Sequence, residues 1–137
     1  MASTVRGTAG ASKSDNTPLS TLCIAVLGNN IVTGASKNLV IRWSGSTLTQ
    51  VFQHSKNEKG FVFCINSRPK NSGILSGSSD GTVVLWNDKM EKDYTITINS
   101  AGFKSLNPKL RSVAEHKDGR VLVGTRASEV IEFSNKG

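Results

Sequence analysis

The sequence predicts an all-β repeat protein, and three observations carry that prediction. The first is a hairpin: Gly77–Trp86 reads GSSDGTVVLW, with Ser79-Asp80-Gly81 as a tight turn between Gly73–Gly77 and Thr82–Trp86. Asp bonds its own backbone in such a turn, Gly takes positive φ without steric cost, and the branched residues beyond it suit a pleated strand. The second is recurrence: Gly34–Trp43 (GASKNLVIRW) repeats the pattern 43 positions earlier and Gly124–Phe133 (GTRASEVIEF) 47 positions later. The third is the aromatic that closes each copy, Trp43, Trp86 and Phe133.

A β-rich unit recurring every ~40–45 residues and closing on Trp resembles a blade of the WD-repeat propellers, in which four antiparallel strands (a to d) form one small sheet. The resemblance rests mainly on GSSDGTVVLWN in the middle copy. It implies a WD-repeat β-propeller fragment of about three four-stranded antiparallel blades, at 19–53, 60–98 and 110–134.

Met1 to about Pro18 is rich in small residues and low in complexity, so it cannot bury enough apolar area to offset its ordering entropy. It reads as a flexible leader. The alternative is that Ser3-Thr4-Val5 adds an edge strand elsewhere, as terminal strands commonly do when propellers of this kind close.

In the first repeat, strands are expected at Leu19–Gly28, Ile31–Gly34, Leu39–Ser44 and Leu48–Phe52, with Gly28-Asn29-Asn30 and Ser44-Gly45-Ser46 as turns. The second gives Phe61–Asn66, Gly73–Gly77, Thr82–Trp86 and Tyr94–Ile98, with a proline-started turn at 68–73. An irregular stretch, Asn99–Lys109, precedes the third, which gives Leu110–Glu115, Arg120–Gly124 and Glu129–Phe133 with an Asp-Gly hairpin at 116–119. That last blade lacks its fourth strand. Propellers usually close with ~4–8 blades, so the expectation is either a piece of a longer propeller or copies that associate into a ring.

The 137 residues carry a net charge of +7, and residues 1–79 hold most of it, with eight Lys/Arg against two Asp/Glu. Such a field attracts an acidic partner. No run approaches the ~18 apolar residues of a membrane span and the leader has no signal-peptide core, so the default compartment is the cytosol, with no membrane contact expected. Cys23 and Cys64 lie in apolar strand runs without a second ligand at metal spacing, and read as inert core thiols. No cofactor or metal is expected.

WD-repeat blades often link a His before strand a, a Ser or Thr in strand b, an Asp in the b–c turn and the Trp of strand c by hydrogen bonds. The resemblance implies that set at His54, Ser76 (or Ser78), Asp80 and Trp86, in a structural role. The same residues could be misread as a hydrolase triad, but there is no nucleophile elbow and no separate oxyanion site. With no phosphate loop or paired carboxylates either, the chain is read as not an enzyme. Repeat one departs from the set with Lys37 where Asp would stand, and repeat three with Ala127 and Phe133. His116 reads as a solvated turn residue, and Glu129 and Glu132 as exposed strand residues.

The blade topology that the resemblance implies puts the d–a and b–c loops on one rim. That rim collects Lys37, Lys56, Lys59, Lys104, Lys109 and Arg126 against Glu58 and Asp80. One charged loop is ordinarily just a solvated loop, whereas several converging ones form a candidate surface for a protein partner. Nucleic acid is the weaker candidate, since no aromatic residues are interleaved with these lysines.

The third repeat resembles a narrower group. Arg111-Ser112-Val113-Ala114, Lys117–Arg126 (KDGRVLVGTR) and Glu129-Val130-Ile131-Glu132 are similar to the "IRS…KDGRILVGTRxxEIIE" blades of echinoderm microtubule-associated protein-like (EMAP-like) proteins. That similarity implies a non-catalytic scaffold associated with microtubules, whose acidic tubulin surface would suit a basic rim. The alternative is a general WD-repeat adaptor that holds a peptide or protein without cytoskeletal contact.

Overall fold

Turn chemistry cuts this chain into short strands. At the same point of each repeat a residue takes left-handed backbone, Asn38 (φ 59), Gly81 (φ 83) and Ser128 (φ 62), and the chain reverses there. The computed structural model describes residues 19–98 and 109–134. The leader, Lys104 and most of the Asn99–Lys109 stretch lie outside the described residues.

Three antiparallel sheets follow one another in sequence. The first is β1 (Thr21–Leu27), β2 (Asn30–Ala35), β3 (Leu39–Ser44) and β4 (Thr47–Gln53). The second is β5 (Val62–Ser67), β6 (Gly73–Ser78), β7 (Thr82–Asn87) and β8 (Lys92–Thr97). The third, among the described residues, is β9 (Leu110–Glu115), β10 (Val121–Thr125) and β11 (Val130–Phe133). Each is a meander, so every strand pairs with its neighbour in sequence. The strands fall within two residues of the positions expected from sequence. β8 starts earliest relative to expectation, because a tight turn at 87–90 (Met90 N–H to Asn87 O, 3.0 Å) returns the chain sooner.

The sheets stack face to face through two apolar layers. Ile74, Val84 and Trp86 of the second sheet pack with Leu27, Val32 and Val40 of the first. On the other face, Leu75, Val83 and Leu85 pack with Leu110, Val113, Val123 and Ile131 of the third. Side chains of this size contribute about 1.5–3 kcal/mol each when fully buried, so the two layers hold the stack together. Phe52 meets Trp86 at 5.4 Å between ring centroids, tilted by 59°, which seats the second sheet's indole on the first sheet's last strand.

Two glycines set how closely the sheets approach. A Cβ on Gly34 would stand 2.6 Å from Val62 Cγ1, and one on Gly77 would stand 2.9 Å from Val113 Cγ1. In each case the missing side chain makes room for the first strand of the following sheet.

Each first strand also carries a β-bulge at the same register. The extra residues are Leu22 in β1, Phe63 in β5 and Arg111 in β9. A bulge interrupts the two-residue alternation, so the direction of these three side chains does not follow from their place in the strand. All three lie on edge strands.

Candidate functional site

The second sheet carries a closed run of hydrogen bonds through its core. Trp86 Nε1–H donates to Ser76 Oγ at 2.8 Å, and Ser76 Oγ lies 2.8 Å from His54 Nδ1. His54 Nε2 lies 3.0 Å from the carbonyl of Thr82. A carbonyl only accepts, so Nε2 carries the proton and Nδ1 accepts from the Ser76 hydroxyl. Every donor in the run thus has one acceptor. Burial pushes the imidazole pKa down to about 4, against an ordinary 6.5. The ring is neutral near pH 7.

His54, Ser76 and Trp86 are brought together as the resemblance implied; Asp80 is not joined to the imidazole. Its place is taken by the Thr82 carbonyl, and Asp80 turns to the neighbouring turn instead. Asp80 Oδ2 accepts from Ser55 Oγ (2.6 Å) and Asn38 Nδ2 (3.1 Å), and Oδ1 from the Thr82 N–H (3.0 Å). Burial alone would raise this carboxyl, but the hydrogen bonds from Ser55, Thr82 and Ser78 prevail and hold it below the usual range.

Asn38 is the hub that residue spacing did not reveal. Fully buried, it donates to Ser55 and Asp80, accepts from Ser78 Oγ at 2.6 Å, and bonds by its backbone to Gly60 and His54. It ties the b–c turns of the first two sheets to the loop between them. The only signal in the sequence was an Asn at the left-handed turn position where repeat two has Gly.

No substrate could use the Ser76–His54 pair as a nucleophile and base. Ser76 is 0% and His54 1% exposed, and Trp86 occupies the serine oxygen. In the first sheet Trp43 Nε1–H finds a simpler partner, Thr33 Oγ1 at 2.9 Å. The third sheet has Val123 and Phe133 at the matching positions and no such bond to make.

The thiols donate to backbone carbonyls, Cys23 Sγ to Val62 O (3.3 Å) and Cys64 Sγ to Gly77 O (3.6 Å). Burial raises them to about 11 and about 12, far from thiolate chemistry at neutral pH. Among the described residues no cluster of His, Cys, Asp and Glu could hold a metal ion.

Backbone hydrogen bonds draw the rim loops together. Asn38 N–H to Gly60 O (2.9 Å) joins the turn bearing Lys37 to the loop bearing Lys56 and Lys59. Arg126 N–H to Lys109 O (2.9 Å) joins the third sheet's own turn to the residue before its first strand, as Ser79 N–H to Phe61 O does in the second. Lys56, Lys59, Lys109 and Arg126 are exposed and Lys37 half-buried. With Asp80 turned inward, Glu58 is the acidic residue left among those the sequence placed here. Lys104 lies outside the described residues.

Aromatic residues do stand beside these lysines. Phe61, two residues after Lys59, stacks on Phe63 (centroids 5.7 Å, planes 26° apart), and the Arg111 guanidinium lies 4.8 Å over the Phe63 ring. Phe63 and Arg111 are bulge residues, which alternation of residue types does not reveal, and Phe61 stands just before β5.

On the opposite rim Arg68 donates to Glu115, Asp93 and the Trp86 carbonyl, closing the seam between the second and third sheets. A cleft of about 190 Å³ beside it is lined by Pro69, Lys70, His116 and Lys117.

Comparison with known proteins agrees with this geometry. Residues 46–87 match the family model "WD domain, G-beta repeat". Among solved structures, the RRP9 WD40 repeats superpose with a TM-score of 0.69 at 14% identity, covering 96% of this chain and 40% of that one. The WD40 beta propeller domain of Doa1 gives 0.66 at 20% identity, covering 90% and 39%. This chain thus spans about 40% of the length of those structures. Stacked antiparallel sheets and these superpositions give the fold of consecutive WD40 β-propeller blades, and residues 46–87 match that family's repeat model.

Proposed function

We propose that this chain is part of a non-catalytic protein-interaction scaffold whose basic rim docks on an acidic protein surface, and that the surface is that of microtubules. The observation that carries the proposal is the Asn38 N–H to Gly60 O bond, which brings the turn bearing Lys37 to the loop bearing the exposed Lys56 and Lys59; in the third sheet Arg126 is likewise bonded by its N–H to Lys109. The cations of these loops outnumber Glu58 and Asp80, so the rim steers acidic partners toward itself. The similarity of residues 111–132 to EMAP-like blades supports tubulin as the acidic surface.

Co-pelleting with polymerised microtubules at two salt concentrations tests it. The chain is expected to pellet at low salt, and a Lys56→Glu/Lys59→Glu/Lys109→Glu variant to stay in the supernatant. Absence of pelleting by the unaltered chain overturns the microtubule reading. If an acidic non-tubulin protein is retained equally well, the general adaptor reading takes its place.

A further inference from the structure

The bulge in the first strand of each blade takes one residue out of the strand's alternation, and in the second and third blades these residues meet. Phe63 carries the Arg111 guanidinium at 4.8 Å and Phe61 at 5.7 Å. Phe61 is 41% exposed, a large ring left open to solvent. Its position is fixed from behind: its N–H donates to Ser79 Oγ (2.9 Å) and its carbonyl accepts from Ser79 N–H (2.9 Å). The ring is presented rather than left to wander.

We propose that the Phe61–Phe63–Arg111 stack is a platform for the bases of single-stranded nucleic acid, with Lys59 and the neighbouring rim cations taking the phosphates. Two stacked rings, with a guanidinium over one of them, favour a further flat group on the exposed Phe61 ring. An extended acidic peptide satisfies the lysines equally well, yet brings no obligatory plane to the ring. A single strand brings both, a charged backbone and a base at every step, and each base stacked on an aromatic is worth about 1–3 kcal/mol. Duplex is disfavoured because its bases are already stacked and face inward. The guanidinium adds to the platform from the neighbouring blade, so the site exists only when the two blades are packed. This goes beyond the protein-scaffold reading and does not depend on it.

Fluorescence anisotropy of a labelled 12-mer of oligouridine with the full chain provides the test. Saturable binding that weakens as salt rises is expected. Phe61→Leu keeps apolar bulk but loses the plane, and should weaken binding roughly 5- to 150-fold, the equivalent of one stacked base. Lys59→Gln should lower the salt slope by about 1 and weaken binding on any sequence. Arg111→Gln, at an exposed position, should weaken binding with unfolding unchanged, which keeps the proposal testable if the Phe61 variant is unstable. The proposal is overturned if the unaltered chain shows no saturable binding, or if Phe61→Leu and Arg111→Gln both bind like the parent. It is also overturned if a polyglutamate peptide of equal charge displaces the oligonucleotide at equal concentration, or if a duplex of the same length binds more tightly.

Discussion

Arg68 and Glu115 pair bidentately across the seam between the second and third blades, Nε to Oε1 at 2.8 Å and Nη2 to Oε2 at 3.2 Å. Their side chains are only 10% and 6% exposed, so this ion pair is largely withdrawn from water, and Glu115 is the more buried of the two carboxylates that Arg68 meets. Glu115→Ala strands the guanidinium with Asp93 and a carbonyl, and is expected to lower unfolding stability by about 3 kcal/mol in a urea titration. The double change Arg68→Met/Glu115→Leu should cost less than Glu115→Ala alone, because no buried charge is left behind.

His54 makes stability pH-dependent. The unfolded imidazole protonates near 6.5 and the folded one near 4, so between those values the unfolded state binds more protons. Stability is therefore fully present above about pH 6.5 and falls as the solution is acidified toward pH 4. The loss approaches roughly 3 kcal/mol at about 1.4 kcal/mol per pH unit. Urea midpoints at pH 7.5 and 4.5 measure it, and His54→Gln should flatten the slope between them.

Ser76→Ala removes one oxygen but leaves two groups without partners, the Trp86 N–H and His54 Nδ1. A cost of about 2–4 kcal/mol is expected from two stranded buried groups. Thr33→Val in the first blade strands the Trp43 N–H alone and should cost about half as much. Thermal unfolding of the two variants side by side gives the comparison.

The blades were legible because their signals are local. Asp80-Gly81, the Gly28-Asn29-Asn30 turn and the branched runs fix strand and turn within a few residues of each other. His54, Ser76 and Trp86 were legible through family spacing alone. Asp80 was misplaced because the acceptor for His54 is the Thr82 backbone carbonyl, which every residue type possesses and no pattern can mark. Asn38 was passed over because its partners, Ser55, Ser78 and Asp80, come from another blade's turn and loop. Phe63 and Arg111 lie 48 residues apart and meet only because each sits in a bulge, which breaks the alternation that strand reading relies on.

Gly77 and Gly124 hold the same register in their blades but face different neighbours. A Cβ at Gly77 would press on Cys64 Sγ (2.6 Å) and Val113 Cγ1 (2.9 Å), both fixed in the core. At Gly124 it would meet, among the described residues, only Ser112 Oγ within 3 Å, a hydroxyl that can rotate away. Gly77→Ala is expected to cost about 1–3 kcal/mol and Gly124→Ala well under 1, read from urea midpoints of the two variants.

Asn38 gives the rim a mechanical property. Its amide and backbone knot together the turns of two blades and the loop between them, so Lys37 and the Lys56–Lys59 loop are mounted on one rigid plate rather than on separate springs. A partner landing there has little backbone left to freeze, and the ordering entropy that usually erodes affinity was already spent when the chain folded.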